Sequence, residues 1–381
     1  MTSSDPSPAK PGNDTWSTSS ASKSTEHAAA PRTTNERLLE SLNDRPLELS
    51  SLIEDAAHAS ATSRESVLYL AYGSNLSRAT FRGRRKINPI SQVNVVVPQL
   101  SLTFSLPGLP YKEPCFANTK AREPPTRSED ASLVEGEAYH KDTWHKGLVG
   151  AVYEVTRADY ARIIATEGGG ASYEDVVVNC HALAEDPTML VPAIPSGTTF
   201  KAHTLSAPIN RGSQGGRPLR PDPSYAQPSP RYLKLITDGA GELTLPYEYQ
   251  EFLRSIRPYR VTNPIQGLGK SIFTALWWPL VMCLFAAGRK FADPQGRYPP
   301  WLATISTGIF KAMWASYDYF FKICFGDGER TIESECRPSH LTREQEQPLL
   351  GSEKKPILNG IAARCESVDN PLDIKRERVG N

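Results

Sequence analysis

The sequence predicts an α+β protein whose core is a compact barrel or strongly curved mixed sheet, with a few helices on its flanks. Short runs rich in β-branched and aromatic residues alternate with turn residues: VLYLAY, QVNVVVPQL, LTFSL, GLVGAVYEV, YEDVVVNCHAL and TFKAHTL. Helix signals are few and well separated. Thr156 caps a helix that ends before three glycines, Ser229 and Pro230 open a second helix that Gly239 closes, and Pro246 opens a third.

Composition divides the chain of 381 residues into four parts. Residues 1–62 and 326–381 are rich in polar, charged and proline residues and bury too little apolar surface to fold, so we expect a disordered arm and a disordered tail. Residues 63–260 carry the strand and helix patterns, with a long proline-interrupted loop at 184–229. Residues 261–325 form a hydrophobic helical segment.

Charge and cysteine usage exclude several classes of protein. The 43 basic and 42 acidic residues leave a net charge of +1, so no nucleic-acid partner is expected. The six cysteines contain no CxxC pair, which argues against a disulfide framework or a zinc ribbon. His140 and His145 lie close together but lack a third ligand at supportive spacing, so we expect no metal site. The first residues lack an apolar signal region, which favours a cytoplasmic location.

The stretch LYLAYGSNL begins as a buried strand and breaks abruptly into turn formers. One interpretation is a simple corner, because Gly73 and Asn75 tolerate positive φ. The other is a cradle in which consecutive backbone N–H groups at the end of the strand hold an anionic ligand group. Strand–turn junctions are common, and as an isolated pattern this one favours the corner.

Glu167 directly follows the helix that begins after Thr156 and precedes Gly168, Gly169 and Gly170. A carboxylate at the negative end of a helix dipole is disfavoured by ~0.3–1 kcal/mol, which raises its pKa if solvent is also excluded. A carboxyl with a pKa near neutrality suits general acid–base catalysis. The alternative is a solvated glutamate in a flexible glycine loop.

Three motifs in this order, YLAYGSNL, ATEGGGASYEDVVV and SPRYLKLITDGAGELTLPYEYQEFL, resemble successive signatures of the γ-glutamylcyclotransferases. The resemblance runs from Val67 to Pro258. It implies a small mixed β-barrel with flanking helices, and an enzyme that converts a γ-glutamyl amine or amino acid to 5-oxoproline and the free amine. It also implies a small-molecule γ-glutamyl substrate and no cofactor.

The resemblance implies roles for particular residues. Glu167 matches the general acid–base, and Tyr173 and Tyr232 match aromatic positions that line the pocket, with Tyr232 the direct substrate contact. The loop that holds the glutamyl α-carboxylate and α-amino group comprises Tyr69, Leu70, Ala71, Tyr72, Gly73, Ser74 and Asn75. Two rival functions stay open: a cyclotransferase specific for γ-glutamyl-lysine or glutathione, and a membrane-tethered γ-glutamyl-binding protein without turnover.

After the matched region, SIFTALWWPLVMCLFAAG spans residues 271–288 without a charge. As a helix it would reach ~27 Å, just short of a ~30 Å hydrocarbon core, and Pro279 predicts a kink or a division into two halves. The following amphipathic stretch 301–325 places Lys311, Asp318 and Lys322 on one side. Four of the six tryptophans fall in this region, which favours membrane association of residues 271–325. The alternative is a helical hairpin packed against the barrel or against a second copy.

Overall fold

The computed structural model describes residues 30–47, 66–122, 143–166, 174–206, 220–222, 225–291 and 298–332. The strands are β1 (Ser66–Ala71), β2 (Ser91–Val97), β3 (Leu100–Leu109), β4 (Glu113–Ala121), β5 (Leu148–Thr156), β6 (Glu174–Ala182) and β7 (Thr199–Ser206). The α-helices are α1 (Asn35–Glu40), α2 (Arg157–Thr166), α3 (Pro230–Glu242), α4 (Tyr247–Ser255), α5 (Pro264–Phe291), α6 (Pro300–Ser316) and α7 (Lys322–Phe325). The structure is therefore α+β, as the sequence predicts.

Five strands form one mixed sheet in the order β1–β5–β2–β6–β7. Neighbours along this order pair antiparallel, and a parallel pairing of Tyr69 with His203 joins β7 back to β1, so the ring of strands closes on itself. β3 and β4 form a separate antiparallel hairpin. The end of β1 therefore lies beside both β5 and β7, and this position determines where the loop after β1 projects.

Each strand predicted from an apolar run is present, and β4 was missed. Its sequence EPCFANTKA contains proline, asparagine and lysine, which are poor strand formers, and pairing with β3 stabilises it instead. The cap of α2 is confirmed, because the Thr156 hydroxyl accepts a hydrogen bond from the Asp159 N–H at 3.1 Å. The Ser229 hydroxyl caps α3 in the same way, accepting from the Tyr232 N–H at 3.0 Å.

The prediction that Gly239 closes α3 is wrong, since the helix continues to Glu242. A Cβ at position 239 would lie 2.4 Å from the carbonyl carbon of Leu76 and 2.5 Å from the backbone nitrogen of Ser77. Gly239 therefore lets α3 approach the backbone after β1, and the same residue type that ends many helices here permits close packing.

Residues 30–47 differ from the disordered arm expected over 1–62. Thr34 caps α1, Leu38 is buried, and the Ser41 hydroxyl accepts a hydrogen bond from the Lys201 N–H at 3.0 Å. Arg32 also forms a parallel bridge with Gln92. These hydrogen bonds order a segment that has too few apolar residues for the sequence to predict it as folded. Residues 1–29 and 48–65 lie outside the described part of the chain.

Residues 264–325, called the helical segment below, pack their own apolar cluster against the β3–β4 hairpin. That cluster contains Leu109, Tyr111, Tyr259, Phe273, Val281, Met313, Trp314, Tyr317 and Phe321. α5 is one continuous helix through Pro279, so the expected division into two halves is wrong. Residues 326–332 of the predicted tail contact this region and are ordered, whereas 333–381 lie outside the described residues.

α5 and α6 run antiparallel as a helical hairpin. The Trp277 indole N–H donates to the Ser316 hydroxyl at 3.1 Å, and the rings of Phe291 and Trp301 lie 5.5 Å apart at the other end. Residues 264–288 of α5 are long and apolar enough to cross a membrane by length and composition, with a mean hydropathy of 1.7. The packed hairpin that the sequence leaves as an alternative is thus present, and membrane association of residues 271–325 stays a prediction.

Candidate active site

The loop after β1 makes a sharp turn without left-handed backbone. Gly73 has φ −115° and ψ −137°, and a single 3₁₀ turn follows over Ser74–Leu76. The chain does turn a corner here, but the positive φ that Gly73 and Asn75 would tolerate is not used. Space at position 73 is tight, because a Cβ there would lie 3.3 Å from the Tyr232 hydroxyl and 3.4 Å from the Ala117 Cβ.

Two consecutive backbone N–H groups are available at this turn. Gly73 and Ser74 are partly exposed, whereas Tyr72 before them and Asn75 after them are buried. Within the described part of the chain, the N–H groups of Gly73 and Ser74 have no hydrogen-bond acceptor. Adjacent backbone amides without an internal acceptor can bind a carboxylate or another anion.

Tyr232 reaches the turn from α3. Its position in the first turn of the helix follows from the Ser229 cap and Pro230, which fix where α3 begins. The hydroxyl accepts a hydrogen bond from the Ala117 N–H at 3.1 Å, and the ring packs edge-on against Phe116 with centroids 5.0 Å apart. The structure thus brings together two elements that the sequence predicts for the site, Gly73 of the loop and Tyr232.

Buried aromatic residues pack on the core side of the turn. The Asn75 amide donates to the Tyr69 hydroxyl at 2.8 Å, and Phe81 stacks on Tyr153 with centroids 4.4 Å apart. Burial raises the pKa of the Tyr153 hydroxyl, although nearby Arg82 partly opposes the shift, so this hydroxyl stays neutral near pH 7. Tyr69, Leu70 and Ala71, which the sequence assigns to the substrate-binding loop, are buried core residues that position the turn.

Glu167 and Tyr173 lie outside the described residues, so their predicted roles stay predictions. The residues that flank them are described. The Tyr160 hydroxyl of α2 donates to the Asp175 carboxylate of β6, and the Tyr160 ring lies 5.9 Å from Tyr69. Tyr160, seven residues before position 167, and Asp175, two residues after position 173, are thus hydrogen-bonded to each other near Tyr69.

Asp175 is the centre of a buried polar network that the sequence did not reveal. Its carboxylate accepts hydrogen bonds from the Leu47 N–H at 2.6 Å and contacts His203 Nδ1 at 2.9 Å. Burial and the Asp175 charge together raise the pKa of Tyr160 well above its ordinary value. The only sequence signal was a carboxylate at the start of the apolar strand EDVVV, which by itself predicts a solvated strand end.

Among the described residues, no group of three or more His, Cys, Asp or Glu side chains could hold a metal ion. His145 is exposed, and His140 lies outside the described ranges.

The fold and the candidate site define a class: an α+β protein in which the turn at the end of β1 lies beside an aromatic residue of α3. Comparison with known proteins agrees with that class. The γ-glutamyl cyclotransferase aclK of Aspergillus oryzae is 30% identical over 275 residues, which are 69% of this chain and 90% of the relative. The γ-glutamyl cyclotransferase gliK of Aspergillus fumigatus is 29% identical over 265 residues, covering 69% of this chain and 89% of the relative.

Residues 263–322 match the family described as the AclK C-terminal domain, so the helical segment also has counterparts. A solved structure titled as a γ-glutamyl cyclotransferase is 20% identical, covers 52% of this chain and 92% of its own, and has a TM-score of 0.35. The chain belongs to the γ-glutamyl cyclotransferase family, and it is an enzyme of that family.

Proposed function

We propose that the enzyme converts γ-glutamyl amines or amino acids to 5-oxoproline and the free amine, by attack of the substrate's α-amine on its own γ-carbonyl. The observation that carries this proposal is the pair of amides at Gly73 and Ser74 beside Tyr232. A γ-glutamyl group carries a free α-carboxylate next to its α-amine. A pocket that holds this carboxylate on backbone amides therefore positions the amine that must react.

The chemistry is a transfer within one molecule. A bond forms between the nitrogen of the neutral α-amine and the carbonyl carbon of the γ-glutamyl amide, the bond from that carbonyl carbon to the leaving nitrogen breaks, and one proton moves from the attacking nitrogen to the departing amine. Because both reacting groups belong to one substrate, fixing the glutamyl chain in a ring-like pose supplies much of the rate enhancement. Backbone amides that face the developing oxyanion supply a further part.

Glu167 carries the proton in this proposal. It would accept the proton of the α-ammonium group and return one to the leaving amine. Tyr160 and Asp175, which bind each other on either side of residues 167–173, support this assignment because they tie the flanks of that segment next to Tyr69.

The leaving amine is set by residues beyond the glutamyl cradle. The prediction of one long loop over 184–229 is wrong where β7 (Thr199–Ser206) interrupts it, a strand that the run TFKAHTL predicts, and residues 207–219 and 223–224 lie outside the described residues. γ-Glutamyl-lysine, glutathione and simpler γ-glutamyl dipeptides are the candidate substrates.

The test uses the purified full-length chain, because Tyr111 and Tyr259 of the first 260 residues pack into the helical segment. The chain is incubated with γ-glutamyl dipeptides, γ-glutamyl-lysine and glutathione, and 5-oxoproline is measured. We expect release from at least one of them. Glu167→Gln should keep the fold but lower kcat by about 10²–10⁴-fold, since the proton carrier is lost.

Wild-type turnover in the Gln variant would contradict the role of Glu167. Release from no substrate, by a chain whose circular dichroism shows it folded, would favour the binding protein without turnover. Isothermal titration with the same γ-glutamyl compounds would then identify its ligand.

We propose a cytoplasmic location for the enzyme. Cys283 and Cys324 are exposed free thiols, which persist in a reducing compartment. Membrane association of residues 271–325 is a separate proposal, because it concerns where the enzyme works and not which bond it breaks.

A further inference from the structure

One side of α5 presents a continuous row of exposed apolar side chains. Their spacing of three or four residues places them on one face of the helix. This apolar stripe consists of Ile265 (62% exposed), Leu268 (56%), Ile272 (43%), Leu276 (52%) and Leu280 (44%). Of the most apolar stretch of 18 residues in α5, only 22% is buried inside the structure.

Internal packing does not account for the stripe. Phe273, Val281 and Leu284 of α5 are buried and occupy a different face of the helix. α6 repeats the pattern, since Leu302 and Met313 are buried while Trp301 (50%) and Ile305 (49%) are exposed. Each helix therefore has one apolar face for the hairpin and a second that the described residues leave uncovered.

The charges on these helices all have the same sign. Neither α5 nor α6 contains an aspartate or a glutamate. Their charged residues are Lys270, Arg289, Lys290 and Lys311. Apolar side chains accompanied only by cations complement an anionic lipid surface, where acyl chains meet negative headgroups. Two copies of these helices facing each other would instead bring their cations together with no acidic partner on either.

Both ends of the helical segment are bonded to the same body. Before it, the Tyr259 N–H donates to the Pro228 carbonyl at 2.9 Å. After it, the Tyr111 hydroxyl donates to the Gly326 carbonyl at 2.7 Å, and the Gln227 N–H donates to the Glu329 carbonyl at 2.8 Å. The chain therefore enters and leaves the segment on one side, which excludes a single membrane crossing.

Two crossings do not fit either. α6 continues through residues 317–321 and α7 as one helical run to Phe325, but the last turns of this run are fixed to the rest of the protein, since Arg220 bonds Asp318 and lies 4.0 Å from the centroid of the Trp314 ring. Residues 300–313, which precede this contact, reach about 21 Å as a helix, which is shorter than a ~30 Å hydrocarbon core. Arg289 and Lys290 at the end of α5 would also have to reach the far side. The remaining geometry is a hairpin that lies in the interface, with exposed Trp301 at the level where amphipathic rings are enriched.

We propose that the helical segment binds the surface of membranes containing anionic phospholipids and lies in the plane of the interface. The apolar stripe enters the acyl region, Lys270, Lys290 and Lys311 contact headgroups, and the five-stranded sheet stays in water. The enzyme then acts on γ-glutamyl substrates at a membrane surface without spanning it.

The test sediments the full-length chain with phosphatidylcholine vesicles, with and without phosphatidylserine. We expect the chain to pellet with the anionic vesicles, less so at high salt. Ile272→Glu with Leu276→Glu should keep it in the supernatant, since two carboxylates replace the centre of the stripe. The matched control is Leu190→Glu with Ile194→Glu, at positions 71% and 56% exposed in the loop after β6, and it should pellet like the parent.

Two further measurements test the role of the lysines and the depth to which the hairpin enters the bilayer. Changing Lys270, Lys290 and Lys311 together to Gln should weaken binding to anionic vesicles at low salt by roughly tenfold or more. Tryptophan fluorescence should be quenched more by lipids brominated near the headgroup than by lipids brominated at the bilayer centre. 5-Oxoproline release from a soluble substrate should be unchanged in all variants, which shows that each is folded.

A parent chain that stays in the supernatant with anionic vesicles would overturn the proposal. So would a stripe variant that pellets like the parent, or stronger quenching from the bilayer centre, which would place the hairpin across the membrane. If the parent is a dimer that the stripe variant dissociates, and neither binds vesicles, the stripe is an interface between two copies.

Discussion

The five-stranded sheet and the helical segment bury their apolar residues to different extents. Around the sheet, the exposed large apolar residues are in loops or at helix ends: Leu39, Leu42, Ile90, Met189, Leu190, Ile194 and Tyr247. The helical segment exposes a repeated row along a regular element instead. The sheet and the helices packed on it bury their apolar residues together, whereas α5 and α6 each bury one apolar face and expose another. This difference separates a region with covered apolar faces from one that leaves an apolar face exposed.

The two regions are joined by buried ions. The Arg220 guanidinium donates to both oxygens of Asp318, at 2.6 and 2.8 Å, and to both oxygens of Glu329, at 2.6 and 3.1 Å. It also lies 4.0 Å from the centroid of the Trp314 ring. Arg220 therefore connects the chain before α3 to the end of the helical segment, through a side chain that is 8% exposed.

The largest effect is expected from Arg220→Met, which breaks this connection. Burial already raises the pKa of Glu329, whose side chain is 3% exposed, and loss of the cation leaves that carboxylate without its main partner. A broken buried pair of this kind costs about 3–5 kcal/mol. Hydrogen exchange should show α6 and α7 opening while the sheet strands stay protected.

Arg231→Met is the control for Arg220→Met. Arg231 pairs with Glu113 at 2.6 Å, but its side chain is 57% exposed, so the expected loss is only about 0–1 kcal/mol. Equal destabilisation by the two changes would contradict the larger cost expected for the buried pair. Simultaneous loss of the sheet in Arg220→Met would show that the two regions do not unfold separately.

An intermediate effect is expected from Gly239→Ala, which acts only on the catalytic region. The new Cβ would meet the Leu76 and Ser77 backbone at 2.4–2.5 Å, so α3 and the turn after β1 must move apart. Overpacking of this kind costs roughly 1–3 kcal/mol. Because the turn carries the Gly73 and Ser74 amides, kcat/KM should fall as well, while vesicle binding is unchanged.

Gly241→Ala is the matched change two residues further along α3. Its Cβ would meet only the Gln250 side chain, at 3.8 Å. Alanine is a better helix former than glycine, so this variant should be equal to the parent or up to about 1 kcal/mol more stable, with normal activity. Normal activity in Gly239→Ala would mean that α3 does not position the turn.

The sequence predicts those parts of the fold that depend on neighbouring residues. The caps at Thr156 and Ser229 and most strands are local signals, and they were read correctly. β4 and the ordered segment 30–47 depend on partners that are distant in sequence, β3 and Lys201 among them, so local composition could not reveal them. The helix through Pro279 shows the same limit, because packing against α6 overrides a local breaker.

The candidate site divides in the same way. The Gly-Ser turn and Tyr232 were predicted through a motif, and the structure brings them together. Asp175 and His203 were missed because their importance arises only when β6 pairs with β7 and places them side by side. Gly73 shows a further limit: the sequence indicates a glycine that tolerates positive φ, whereas the structure shows a negative φ and the Tyr232 hydroxyl 3.3 Å from where a Cβ would lie.

The smallest effect is expected from the protonation of one histidine of the sheet. Burial lowers the pKa of His181 in β6 below its ordinary value, and its buried Nδ1 has no hydrogen-bond partner among the described residues. The neutral ring is therefore favoured in the folded state. Its contribution is complete above the unfolded pKa of about 6.5 and is lost as the pH falls from there through the folded pKa.

Urea denaturation followed through the sheet should show this acid-side loss in the parent and a smaller loss in His181→Gln. His145→Gln, at an exposed histidine, is the matched control substitution. Hydrogen exchange of α5 provides an internal reference, since that helix contains no histidine, aspartate or glutamate. An unaltered pH dependence in His181→Gln would show that His181 is not the source of the acid sensitivity.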